Sequence, residues 1–176
     1  MIAMTTTLTR ATPVRFRLST TARRTWLLTH IAAAGIWLGI DVVLAILVGT
    51  ALLTSDPILT ESAFRALEVF AVGPLIAVSL ITFGTGVVLG WGTKYGLVRY
   101  WWVAVKLGLN TILTLLIIFG LSPTLHETAT MAAVYATDGA PDISGLVAPP
   151  IVSTTAVLAA TALSVFKPWG RIRRPA

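Results

Sequence analysis

The chain has 176 residues, 56% of them hydrophobic and only 11% charged, with a mean hydropathy of +0.86 and a formal net charge of +6. Soluble domains carry about 25% charged residues; so few charges cannot cover a water-facing surface, and the expected solvent is lipid. The absence of cysteine excludes disulfide frameworks, thiolate metal sites, iron–sulfur clusters and cysteine nucleophiles.

Residues 1–24 form a basic tail with Arg10, Arg15, Arg17, Arg23 and Arg24 and no acid. It reads as an orientation signal touching anionic headgroups, not as a nucleic-acid arm. Arg23-Arg24 has the form of a twin-arginine export signal. The apolar run after it far exceeds a signal-peptide core of ~7–15 residues, so it reads as a retained anchor.

A hydrocarbon core of ~30 Å takes about 20 apolar residues. On that measure the domain at 25–166 holds four spans, near 25–53, 67–91, 100–121 and 148–166. The first contains a single formal charge, Asp41, and a close-packing motif, Gly35-x-x-x-Gly39. Glu61 and Arg65 stand at i,i+4, which starts a helix before the second span. Pro74 should bend that span, and Gly86 and Gly90 repeat the packing motif. Gly92 to Gly96 make a tight turn into the third span. The loop at 122–147 offers Thr124-x-x-Glu127 as a capping box and Gly139 as a stop, predicting a short extracytoplasmic surface helix over 124–137. Pro149 and Pro150 suit the start of the fourth span, in which Ala156, Ala160 and Ser164 form a small-residue face. Residues 167–176 are a second basic tail.

The expectation is therefore an all-α, polytopic four-helix bundle. Of the 13 basic residues, all but Arg65 fall on one side, and of the seven acids, all but the intramembrane Asp41 fall on the other. Trp26, Trp91, Trp101, Trp102 and Trp169 mark the basic interface. Basic loops stay in the cytoplasm, so both termini are expected inside a bacterial cell membrane.

An aspartate at a span centre costs ~2.5–3.5 kcal/mol on insertion scales and is expected to face the bundle interior. At 100° per residue, His30 lies within about 20° of Asp41 in azimuth, with Trp37 on the same stripe and Gly35 and Gly39 opposite. In the third span Trp102, Lys106, Asn110 and Thr114 recur at i,i+4. His30, Asp41, Lys106, Asn110 and Thr114 are the candidate polar seam, which Ser79, Thr82 and Thr85 could complete. Lys106 and Asp41 are ~13 Å apart axially, too far for a direct bond. The seam can be read as interhelical glue or as a path for a proton or ligand.

No cofactor or metal is expected. His30 and His126 belong to opposite ends, so they cannot jointly bind a haem within one protomer. Met1, Met4 and Met131 are the only methionines, a poor supply of copper ligands. His126 with Glu127 is better explained by a capped helix than by a metal. No phosphate loop or Gly-x-Ser-x-Gly occurs, and no enzymatic activity is expected.

Three stretches carry a resemblance: Trp26-Leu-Leu-Thr-His30-Ile-Ala-Ala-Ala-Gly-Ile-Trp37-Leu-Gly39, Lys94-Tyr-Gly-Leu-Val-Arg99-Tyr-Trp-Trp102-Val-Ala-Val-Lys106 and Phe166-Lys-Pro-Trp-Gly-Arg171. They resemble a bacterial family of small four-helix membrane proteins, frequent in actinobacteria and defined as a domain of unknown function. That family is distantly similar to the copper-resistance protein D membrane domain. The resemblance implies four helices in a bacterial cell membrane and no particular activity. The functional expectation is a small membrane protein that binds or passes a ligand or ion through the seam. The alternative is an accessory subunit of another membrane protein or of a homo-oligomer. The bilayer itself is the one partner common to both.

Overall fold

The structure, a computed structural model, describes residues 17–93, 96–127, 144–168, 170 and 172, and they form helices with no β-strand among them. Four helices are long and apolar enough to cross a membrane: Thr20–Leu53, Pro57–Gly92, Trp101–Glu127 and Ala148–Phe166. They are spans one to four below.

Span one starts where the Ser19 side chain accepts the Ala22 N–H at 3.2 Å, one of the free donors of a helix start. Its 34 residues are about 51 Å long at ~1.5 Å each, so the helix overshoots the hydrocarbon. It ends at Leu53, and only Thr54 to Asp56 separate it from span two. There Asp56 accepts the Ile58 N–H at 2.9 Å and Pro57 occupies the first turn. Span two thus begins ten residues before the expected apolar start at 67.

Pro74 sits in a π-helical turn, Ala71–Leu75. A proline ring inside an α-helix meets the carbonyl four residues back; the wider turn admits it without ending the helix. A second π turn, Ile117–Leu121, interrupts span three. Thr124 follows within the same helix and donates to the Gly120 carbonyl at 2.8 Å. The expected cap at Thr124 is therefore not formed, because the helix of span three runs on past it to Glu127. The rest of the predicted surface helix, 128–137, and Gly139 lie outside the described residues. Span four opens with Pro149 and Pro150 in its first turn and closes at Lys167, whose φ of 47° is left-handed.

Backbone hydrogen bonds gather one end of the bundle. Leu18 N–H donates to the Gly92 carbonyl at 3.2 Å, Trp101 N–H to Gly170 at 3.5 Å and Ile172 N–H to Arg99 at 3.0 Å. Leu18, ahead of span one, and Gly170 and Ile172, after span four, therefore meet the segment between spans two and three. A Cβ at Gly92 would overlap the Leu18 side chain. At the other end Arg65 pairs with Glu61 at 2.8 Å and His126 Nδ1 donates to Glu68 at 2.7 Å, joining spans two and three.

The core lies toward that acidic end. Leu44, Val48 and Ala51 of span one meet Phe64, Leu67 and Ala71 of span two, with Leu113, Ile117 and Leu125 of span three closing the cluster. Leu28, Ile31, Leu53, Trp91, Phe119 and Phe166 stand exposed. Large apolar side chains on the outside are what an apolar solvent permits.

Gly35 and Gly39 correct the expected packing face. Both are exposed, with nothing within 4 Å of where a Cβ would stand. The inward arc of span one is taken by Ala33, Trp37, Ile40, Asp41, Leu44 and Val48, and the two glycines point the other way. The pair in span two differs: a Cβ at Gly86 would stand 3.4 Å from His30 Cε1, and one at Gly90 would press on the Leu97 side chain at 2.6 Å.

Candidate ligand site

Asp41 is 1% exposed and Trp37 is wholly buried. One turn apart on span one, both reach Ser153 of span four. The Trp37 indole N–H donates to Ser153 Oγ at 2.9 Å, and the Ser153 hydroxyl donates to Asp41 Oδ2 at 2.8 Å. The donors run in one direction and end on the carboxyl. Thr154 also lies near that carboxyl. The other oxygen, Oδ1, is buried with no hydrogen-bond partner. An unpaired buried polar atom is costly, so Oδ1 is the feature of the site that packing leaves unexplained.

Asp41 and Ser153 line the inner end of a cavity of about 460 Å³. Its walls are Leu75 of span two, Leu113 and Ile117 of span three, and Leu146 and Pro150 at the entry to span four. It runs outward to Thr124 and Gly145, which are exposed at the acidic end. Two sequence features open this space. Gly120, in the π turn of span three, carries no side chain and has nothing within 4 Å of its Cβ position. Span four begins only at Ala148, with Pro149 and Pro150 in its first turn. A cavity of this size with apolar walls and one or two convergent polar groups is the usual form of a small-molecule site.

The other members of the expected seam are elsewhere. His30 Nδ1 and Thr85 Oγ1 are 2.8 Å apart, and the Thr85 hydroxyl lies 2.7 Å from the Ile81 carbonyl, which leaves Nδ1 to donate. Lys106 Nζ donates to Ser164 Oγ and stands 5.8 Å from the Trp102 ring centre, a cation–π distance. Thr114 donates to Asn110 Oδ1 at 3.4 Å along span three itself. Ser79 returns its hydroxyl to the Ile76 carbonyl, while Thr82 Oγ1 is buried and unpartnered. The predicted residues therefore separate: His30 with Thr85 and Lys106 with Ser164 at the basic end, Thr114 with Asn110 along span three, and Asp41 with span four. Trp37 fills the stripe between His30 and Asp41.

Ser153 is the site residue that sequence reasoning missed. One signal pointed to it: Ser153 and Ser164 are eleven residues apart, the spacing that puts His30 and Asp41 on one face. The small-residue pattern of span four drew attention to Ala156, Ala160 and Ser164 alone. Among the described residues no three His, Asp or Glu side chains come together as a metal would require. Compared with protein families, with characterised proteins and with solved structures, the chain matches none.

Proposed function

We propose that this chain is a small multi-pass protein of a bacterial cell membrane, with both termini in the cytoplasm, that binds a small apolar ligand. The ligand enters from the extracytoplasmic side, and the protein works as a binding or transfer component without catalysing a reaction. The observation that carries this reading is the apolar cavity that ends on the half-satisfied carboxyl of Asp41. Orientation is supported by the charge asymmetry of the sequence and by Arg17, Arg23, Arg24, Arg99 and Lys167, which stand at the end where Leu18 and Gly170 meet the segment between spans two and three.

A diazirine-bearing alkane tests it on the purified protein in lipid nanodiscs. Labelling should concentrate on Leu113 to Leu121 and Leu146 to Ser153. Gly120 lines the cavity and a Cβ there meets nothing within 4 Å, so Gly120→Phe should remove that labelling with little change in thermal stability. Labels spread evenly over the exposed apolar faces, or unaltered by Gly120→Phe, would refute the site.

One observation favours a second reading, that of an accessory subunit. Gly35 and Gly39 leave a bare stripe on the exposed side of span one, a form that lets another membrane helix approach. Isolation from native membranes with a stoichiometric second protein, lost in Gly35→Leu, would support it.

A further inference from the structure

The nature of the ligand follows from the chemistry around Asp41, granting that the cavity is a ligand site. Among the described residues the cavity is apolar along its length, and its polar side chains are those of Asp41, Ser153 and Thr124. Ser153 is committed at both ends, taking the Trp37 N–H and giving its own proton to Oδ2. Thr124 gives its proton to Gly120. What is left for a ligand is one buried oxygen, Oδ1, which no described side chain hydrogen-bonds although Thr154 stands beside the carboxyl.

A metal ion does not suit this donor set. Hard cations take six or more oxygens, and one carboxylate with one engaged hydroxyl falls well short. An anion would bring like charge to a carboxylate. A neutral hydrocarbon would fill the cavity and leave Oδ1 unpaired. An amine satisfies it in either protonation state, because carboxylate with ammonium and carboxylic acid with free amine are one hydrogen-bonded pair sharing one proton. Such a pair brings no net charge into the low-dielectric interior, where an unpaired ion is expensive.

We infer that the cavity takes a lipophilic amine, an apolar body carrying one nitrogen able to hold a proton, with that nitrogen on Asp41 Oδ1 and the body along Leu113, Ile117 and Leu146.

Competition against the photoreactive alkane, with the intact protein in nanodiscs, tests this. The competitors share one chain: an N,N-dimethylalkylamine, its trimethylammonium analogue and the matching branched alkane. The tertiary amine should compete at about tenfold lower concentration than the alkane, the order that a hydrogen bond to a charged group supplies. In Asp41→Asn the advantage should fall to within about twofold. If the alkane or the trimethylammonium compound competes as well as the amine in the wild type, the amine assignment is wrong and the apolar site stands. The wild-type series decides alone if Asp41→Asn does not fold. Loss of localised labelling, or its indifference to Gly120→Phe, would instead remove the site and the amine together.

Discussion

Asp41 carries the only formal charge between Thr25 and Ser55, and the structure partners it with a neutral hydroxyl, not with the nearest lysine. Lys106 has its own acceptor in Ser164 and an aromatic ring beside it. Groups without a shared partner contribute independently. In a double-mutant cycle of Asp41→Asn and Lys106→Met, read by unfolding in detergent, the coupling should stay below about 0.5 kcal/mol. The single Lys106→Met change should be mild, because Ser164 keeps its bond to the Ala160 carbonyl at 3.0 Å. Asp41→Asn should fold at least as stably as the parent, since the cost of burying a charge falls. Coupling above about 1 kcal/mol would place the two in one network and contradict the separation of the two polar groups.

At the scale of the element, the two glycine pairs separate by what faces them. Gly86 lies against the His30 ring, which is held in turn by Thr85. A leucine there has to push the ring away, and overpacking of this kind costs about 1–3 kcal/mol. Gly35→Leu and Gly39→Leu meet open space and gain helix propensity, so their unfolding midpoints should match or exceed the parent's. Equal damage from all three substitutions would mean that span one is turned differently in the bundle. The two π turns also act at this scale. One admits Pro74 and the other carries Gly120 past the cavity.

At the scale of the whole molecule, the distribution of charge and the closure of the bundle are the same fact seen twice. Among the described residues, Arg17, Arg23, Arg24, Arg99 and Lys167 stand at the end where Leu18, Gly92, Arg99 and Gly170 join by backbone hydrogen bonds. Asp56, Glu61, Glu68 and Glu127 stand at the end where Glu68 meets His126. The native chain has no cysteine, so single cysteines report topology without background. Those placed at Thr93 and Ala176 should be shielded from an impermeant reagent applied to intact cells, and one at Ser55 should react. Reaction at Ala176 from outside would overturn the arrangement of four crossings with both termini inside.

The four spans were legible because lipid imposes a length and a composition that composition counting detects directly. Span four, Ala148–Phe166, begins and ends at the residues that its apolar run and prolines indicated. The inward stripe of His30, Trp37 and Asp41 was legible from helical periodicity, since azimuth within one helix depends only on residue spacing. Periodicity cannot say which helix stands opposite a stripe. Hence the glycines of span one read as a packing face although no helix lies against them, and Ser153 went unnoticed until span four was set beside span one. The capping pattern at Thr124 likewise matched a local rule that the continuing helix overrode. The cavity belongs to the tertiary structure alone. It exists because Gly120, the π turn around it and the late start of span four leave space above a carboxyl, and no single segment of the sequence contains all three.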